Sequence, residues 1–176
     1  MNSIVVYKTK YGSTKQYAEW IGTELNCKVT DAKDITIEEL EKYDTIIYGG
    51  GLYAEVINGV SLITKNIDKL KDKKIAVYTT GITPLYLRDY YDKLVVEKNF
   101  KLGVPECVKL FNFTGKMVID ELSLVHKTAL KTLKKIMLSK KEPTEMEKLL
   151  IKLCDADGDF TDISQINDLV AYVCDK

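Results

Sequence analysis

The sequence predicts an α/β fold, a doubly wound parallel sheet with helices on both faces. Short apolar runs alternate with amphipathic stretches, the amphipathic stretches follow a 3.6-residue spacing, and three of the runs end in turns rich in glycine or hydroxyl residues. Ser3-Ile4-Val5-Val6-Tyr7 reads as a buried first strand. It feeds through a short loop into a helix from Ser13 to Leu25, whose apolar face carries Tyr17, Ala18, Trp20, Ile21 and Leu25. Cys27 to Thr30 is a short second strand, and Thr36 to Lys42 a brief helix. Tyr43 to Tyr48 holds the β-favouring Thr45-Ile46-Ile47-Tyr48, which Gly49-Gly50-Gly51 should stop. A helix from about Asn58 to Leu70 precedes a fourth strand, Lys74 to Thr79. Pro84 suits the first turn of a helix running to Asn99, and Val108 to Phe113 supplies the fifth strand. Leu122 to Leu138 forms a long helix, Thr144 to Leu153 a shorter one, and Asp162 caps a last helix reaching Val173. Strands that alternate with helices in this way imply a parallel sheet covered on both sides.

A chain of 176 residues suits one domain spanning 1–176. Apolar residues make up 45% and charged residues 30%, ordinary values for a globular protein, and no apolar run approaches the length of a bilayer. The chain opens almost directly on a strand, without a charged region, apolar core and cleavage site, which predicts a cytoplasmic protein. Cys27, Cys107, Cys154 and Cys174 are far apart with no CxxC pair, so reduced, mostly buried thiols are expected rather than a metal or dithiol site. A formal net charge of zero gives no support for a nucleic-acid partner. The helix from Lys127 to Lys141 is locally basic, with Lys131, Lys134, Lys135 and Lys140 between, which reads as a solvated face or as a peripheral contact with a membrane or anionic partner. Asp155-Ala156-Asp157-Gly158-Asp159 has the spacing of a calcium-loop opening, but the closing acid would fall at Ile166, so a polar turn is expected. Nothing in the sequence bears on oligomeric state.

The loop Thr9-Lys10-Tyr11-Gly12-Ser13-Thr14 sits where a strand opens onto a helix. The first backbone N–H groups of a helix lack internal partners, and hydroxyls beside them can bind an anion. Neither GxxxxGK[ST] nor GxGxxG is present, so the loop suits a single terminal phosphate rather than a triphosphate or a dinucleotide. The competing reading is an ordinary loop in which Ser13 or Thr14 caps the helix. Ligands of doubly wound sheets bind outside the carboxyl ends of the strands, where strand order reverses. The loops after strands one, three and four should converge there: Thr9 to Thr14, Gly49-Gly50-Gly51-Leu52-Tyr53-Ala54, and Thr79-Thr80-Gly81-Ile82-Thr83.

TxxGST after the first strand, followed by two glycine-bearing loops at later strand ends, resembles the flavodoxin family along essentially the whole chain. That family is itself the type case of flavin mononucleotide (FMN) at this switch point, so the placement follows from the resemblance and not from the residues alone. The resemblance implies strand order 2-1-3-4-5, phosphate binding by Thr9, Lys10, Tyr11, Gly12, Ser13 and Thr14, and the flavin ring between Gly50, Gly51, Leu52, Tyr53, Ala54 and Thr79, Thr80, Gly81, Ile82, Thr83. Glycines allow close backbone approach to a ring edge, and Tyr53 is the aromatic best placed to cover a ring face. The implied function is FMN-dependent electron transfer, with a redox protein or a quinone-like small molecule as partner. A looser likeness to the flavodoxin-like protoporphyrinogen oxidases, in the TxxGxT opening and the long basic helix, implies a flavoenzyme instead. Dedicated flavodoxin carriers have acidic surfaces that steer their partners, and this neutral chain departs from that pattern. The absence of an aspartate at the end of the first or third strand argues against a receiver domain, while a flavin-free interaction domain on the same fold is the third alternative. His126, the sole histidine, reads as a helix-surface or partly packed residue, with proton transfer as the functional alternative.

Overall fold

The first apolar run forms β1 (Ser3–Lys8), with Ser3 to Val6 buried, in a computed structural model that describes residues 2–175. Next come α1 (Ser13–Glu24), β2 (Lys28–Asp31), α2 (Ile37–Leu40), β3 (Thr45–Tyr53) and β4 (Val56–Ile57). They are followed by α3 (Ser61–Thr64), α4 (Ile67–Leu70), β5 (Lys74–Gly81), α5 (Val96–Asn99) and β6 (Val108–Thr114). The long strands pair in parallel in the order β2-β1-β3-β5-β6, with β4 folded back antiparallel on β3. Apart from β4, this is the expected 2-1-3-4-5 arrangement.

Alternate residues of each strand point to opposite faces, so two cores form. On one face Ile4, Val6, Ile46, Tyr48, Ile75 and Val77 meet Ile63 of α3, Leu70 of α4 and Val95. On the other, Val5, Ile47, Ala76, Tyr78 and Phe113 meet Tyr17, Ala18 and Ile21 of α1 and Leu169 and Val173 of the last helix, α8 (Asn167–Cys174). Each fully buried aliphatic side chain among these contributes about 1.5–3 kcal/mol.

Three expectations need correction. Gly49-Gly50-Gly51 does not end the third strand, because β3 continues through it to Tyr53. The missing side chains are what allow this: a Cβ at Gly49 would overlap the Tyr78 ring, and one at Gly50 would press on Ile57 and the Asn58 backbone. The turn comes later, at Ala54 (φ 46°) and Glu55 (φ 63°), a two-residue hairpin loop of the left-handed kind held at Tyr53↔Val56. The helix expected over 58–70 is split into α3 and α4 at Asn66, whose amide donates to Leu62 O at 2.9 Å. Pro84 does not open a helix: residues 82–87 are irregular, Tyr91 donates to Thr83 O at 2.7 Å, and a π-helical turn over Tyr90–Val95 leads into α5. The thiol expectation also narrows: the four cysteines are free, but only Cys154 is buried, and Cys174 is exposed.

Between β6 and α8 the chain makes an excursion. A short ribbon of β7 (Lys116–Met117) and β8 (Gly158–Asp159) closes its base, and α6 (Leu124–Leu138) and α7 (Glu145–Leu153) form the rest. Ser123 caps α6, and Thr144 with Glu147 builds a capping box at α7. Lys134 pairs with Asp155 and Lys140 with Glu147. The Asp155–Asp159 stretch serves the same purpose, with Asp157 accepting from Ile119 N at 3.0 Å, and among the described residues no group of three or more potential ligands could hold a metal ion. No described helix is long and apolar enough to cross a membrane.

Gly49→Ala should lower unfolding free energy by about 3 kcal/mol in urea titrations, because added volume beneath a fully buried tyrosine forces ring and strand apart.

Candidate functional site

The carboxyl ends of β1, β3 and β5 surround a cavity of about 580 Å³, a volume within the range of about 300–1,000 Å³ typical of small-molecule sites. From the first loop, Thr9, Tyr11, Ser13 and Thr14 line it; from the second, Gly51, Leu52, Tyr53 and Ala54; from the third, Thr80, Gly81, Ile82 and Thr83. The other four expected residues sit behind these walls. Gly50 lies inside the β3 ladder opposite Thr79, whose hydroxyl donates to Asn112 Oδ1 at 2.7 Å. Gly12 forms the outer turn of the loop, and Lys10 reaches away toward Ser123 and His126, each at 3.4 Å.

The first loop is held from below. Tyr78 Oη, wholly buried in the sheet, donates to Thr14 O at 2.8 Å, and Gly12 N donates to Thr9 Oγ1 at 3.0 Å. Gly12 adopts φ 96°, a conformation that glycine reaches without strain, and α1 then opens with no side-chain cap. The reading in which Ser13 or Thr14 caps α1 is therefore set aside. Instead the Thr14 hydroxyl lies 2.7 Å from that of Thr80, joining the first loop to the third, and Ser13 Oγ accepts from Lys116 N at 3.1 Å. The uncapped first turn leaves N–H groups and the positive end of the helix dipole beside the cavity. Lys116 stretches along Gly12 and pairs with Glu121 at 3.4 Å, bringing a cation to the same loop.

Nearly as many lining residues come from the excursion as from the three loops, and of these only His126 carried a functional alternative in the sequence. Gly115, Lys116 and Met117 enter with β7, Leu122, His126, Ala129, Leu130 and Leu133 with α6, and Leu150, Leu153 and Cys154 with α7. His126 is joined to the first loop: its Nδ1 lies 2.7 Å from Tyr11 Oη, and Ser123 N donates to the same phenol oxygen at 3.3 Å. Tyr53 completes an aromatic cluster, with ring centroids 5.3 Å from His126 and 6.3 Å from Tyr11. Desolvation raises the Tyr11 phenol, but its bonds with Ser123 and the charge of Lys10 outweigh this and leave it below its ordinary value. Desolvation, followed by the proximity of Tyr11, pushes Tyr53 up to about 12. His126 is held below its ordinary value by desolvation and by the Lys10 ammonium.

A doubly wound parallel sheet with its cavity at the reversal of strand order defines the class of α/β protein to which this chain is assigned. The chain belongs to the flavodoxin domain family, which residues 4–146 match. An uncharacterized protein of Methanocaldococcus jannaschii is 26% identical over 122 residues, or 65% of this chain and 79% of the relative. A flavodoxin from the domain Archaea is similar in structure with a TM-score of 0.44 and 19% identity, covering 88% of this chain and 97% of that one. A Fusobacterium nucleatum flavodoxin bound to flavin mononucleotide has a TM-score of 0.39 and 20% identity, covering 65% of this chain and 72% of that one.

Because His126 is the sole histidine, a proton NMR titration follows one imidazole. Its folded pKa should fall below the unfolded ~6.5, so its contribution to stability is present above pH ~6.5 and lost as pH falls through the folded value. Lys10→Met should move the titration upward.

Proposed function

We propose that the protein binds FMN non-covalently and mediates electron transfer. The observation that carries this reading is the meeting, on one cavity, of an uncapped helix start ringed by hydroxyls with two strand ends that carry glycine. The donor set suits a phosphate monoester: N–H groups of the first turn of α1, the hydroxyls of Thr9, Ser13 and Thr14, and the nearby Lys116 ammonium. The other walls suit a flat ring. Gly51 has no side chain, and the Tyr53 ring lies close enough that a Cβ there would stand 3.1 Å from it. Gly81 and Ile82 face it from the third loop.

Bound there, FMN supplies the one- and two-electron chemistry, while the protein supplies position and electrostatics. Thr14 and Thr80 hold the first and third loops at a fixed separation through their mutual hydrogen bond. Tyr78 keeps the first turn of α1 seated on the sheet, so the donors are in place before an anion arrives. Leu52 and Tyr53, on the paired hairpin of β3 and β4, line the cavity from the second loop as Ile82 does from the third.

Titrating FMN into the protein should quench flavin fluorescence to an end point of one per chain. Thr14→Ala should weaken binding about tenfold, equivalent to ~1.4 kcal/mol, and Thr14→Ser should restore most of it. Absence of quenching in the unaltered protein overturns the cofactor; unchanged affinity in Thr14→Ala overturns the cradle.

A further inference from the structure

The start of α1 is short of negative charge. No acidic residue stands in its first turn, and no side chain caps it. Cations gather there instead. Lys15 lies in that turn, paired with Glu19 at 3.6 Å, and Lys116 reaches it from β7, at the stem of the excursion. A Cβ built on Gly12, the residue before the helix, would stand 3.7 Å from Lys116 Cε and 4.0 Å from its Nζ. The positive end of a helix repels an ammonium, so this placement calls for negative charge between the two. The carboxylates near Lys116, Glu121 at 3.4 Å and Asp159 across the β7 and β8 pair, belong to the excursion and not to the helix.

The excursion is also lightly attached. Its helices α6 and α7 roof the cavity, yet they contribute no side chain to either core of the sheet. The excursion meets the first loop through hydrogen bonds, from Lys116 N to Ser13 Oγ and among Lys10, Tyr11, Ser123 and His126. A segment with few buried apolar contacts opens at low cost, and a ligand that prefers the closed arrangement shifts the balance toward it.

We infer that Lys116 is the residue through which a phosphate monoester closes the excursion over the cavity. Its ammonium stands on the excursion and the other phosphate donors stand on the floor, so an anion between them is held by both and ties one to the other. Ser13 suits the same bridge: its buried hydroxyl accepts from Lys116 N and keeps its own proton for an anion. An open arrangement withdraws Lys116 and loses a charge-assisted contact, which gives the phosphate the differential affinity that closure requires. A ring compound without phosphate fills the cavity without drawing the stem onto α1. Lys116 thus distinguishes phosphorylated from unphosphorylated forms of one ligand. The inference rests on the reading that the first loop takes the phosphate of FMN.

The test is hydrogen–deuterium exchange of the full chain, read by mass spectrometry for the free protein, with FMN, and with inorganic phosphate at matched ionic strength. Each ligand should slow the amides of α6 and α7 about tenfold, the effect of one charge-assisted bond. Inorganic phosphate has no ring to touch those helices. In Lys116→Met at saturating FMN, the slowing in α6 and α7 should vanish while the amides of Ser13 to Gln16 stay protected, and Lys116→Arg should restore it. Flavin fluorescence on the same samples reports whether FMN is bound. With FMN bound, unchanged exchange in α6 and α7, slowing by FMN but not by phosphate, or slowing that survives in Lys116→Met overturns the closure and leaves the cofactor reading intact. Slowing by phosphate without FMN binding overturns the cofactor and keeps the closure for another phosphate monoester. Failure of both ligands overturns both readings. Circular dichroism identifies a misfolded variant, and Lys116→Gln is the second trial.

Discussion

The bond from Tyr78 Oη to Thr14 O is the interaction on which the rest of the site depends. It joins the middle of the sheet to the first turn of α1, and it exists only because Gly49 leaves space for the tyrosine ring across β3. Desolvation keeps this phenol well above its ordinary pKa, so it remains a neutral donor. With the first turn fixed from beneath, Thr14 is free to meet Thr80 sideways, and Ser13 to receive Lys116 from above. A loop that would otherwise be a flexible connector is thereby set in one arrangement, which is the condition for binding an anion without reorganisation.

The second layer of organisation is the excursion between β6 and α8. Its lysines looked like one basic face, yet Lys134 and Lys140 are spent in internal ion pairs and Lys127 donates to Asp120 O. Pairs of this kind near the surface contribute little each, about 0–1 kcal/mol, and they link two helices that share no core with the sheet. Their apolar sides consequently face the cavity, and the phenol–imidazole contact of Tyr11 and His126 ties the roof to the floor.

Much of this was readable from residues in sequence order. Strand placement followed from apolar runs buried on both faces, and the three loops converged because doubly wound topology leaves them nowhere else to go. Glycine misled in a specific way: three in a row ordinarily interrupt a strand, but Gly49 and Gly50 stay in the ladder because Tyr78, Ile57 and Asn58 need the space above them. The left-handed turn fell on Ala54 and Glu55, which have no local propensity for it and are held by the pairing on either side. His126 was ambiguous because periodicity shows that a helix has an apolar side without showing what that side meets, and its partner Tyr11 lies 115 residues away. The hydroxyls of Thr9, Ser13 and Thr14 stand close together in the sequence and line one cavity, while their separate bonds to Thr80 and Lys116 required the third dimension.

Phe160 N donates to Gly115 O, and Gly115 N to Gly81 O, so the excursion leaves and rejoins the sheet at touching points. Everything from 116 to 159 is therefore a graft on a short stem. Because the two ends of the segment meet at the sheet, a change of length between 116 and 159 places no demand on the pairing of β5 with β6. The cover over the cavity is thus hinged to the sheet at one point and fastened to the first loop at two others, Lys116 to Ser13 and His126 to Tyr11.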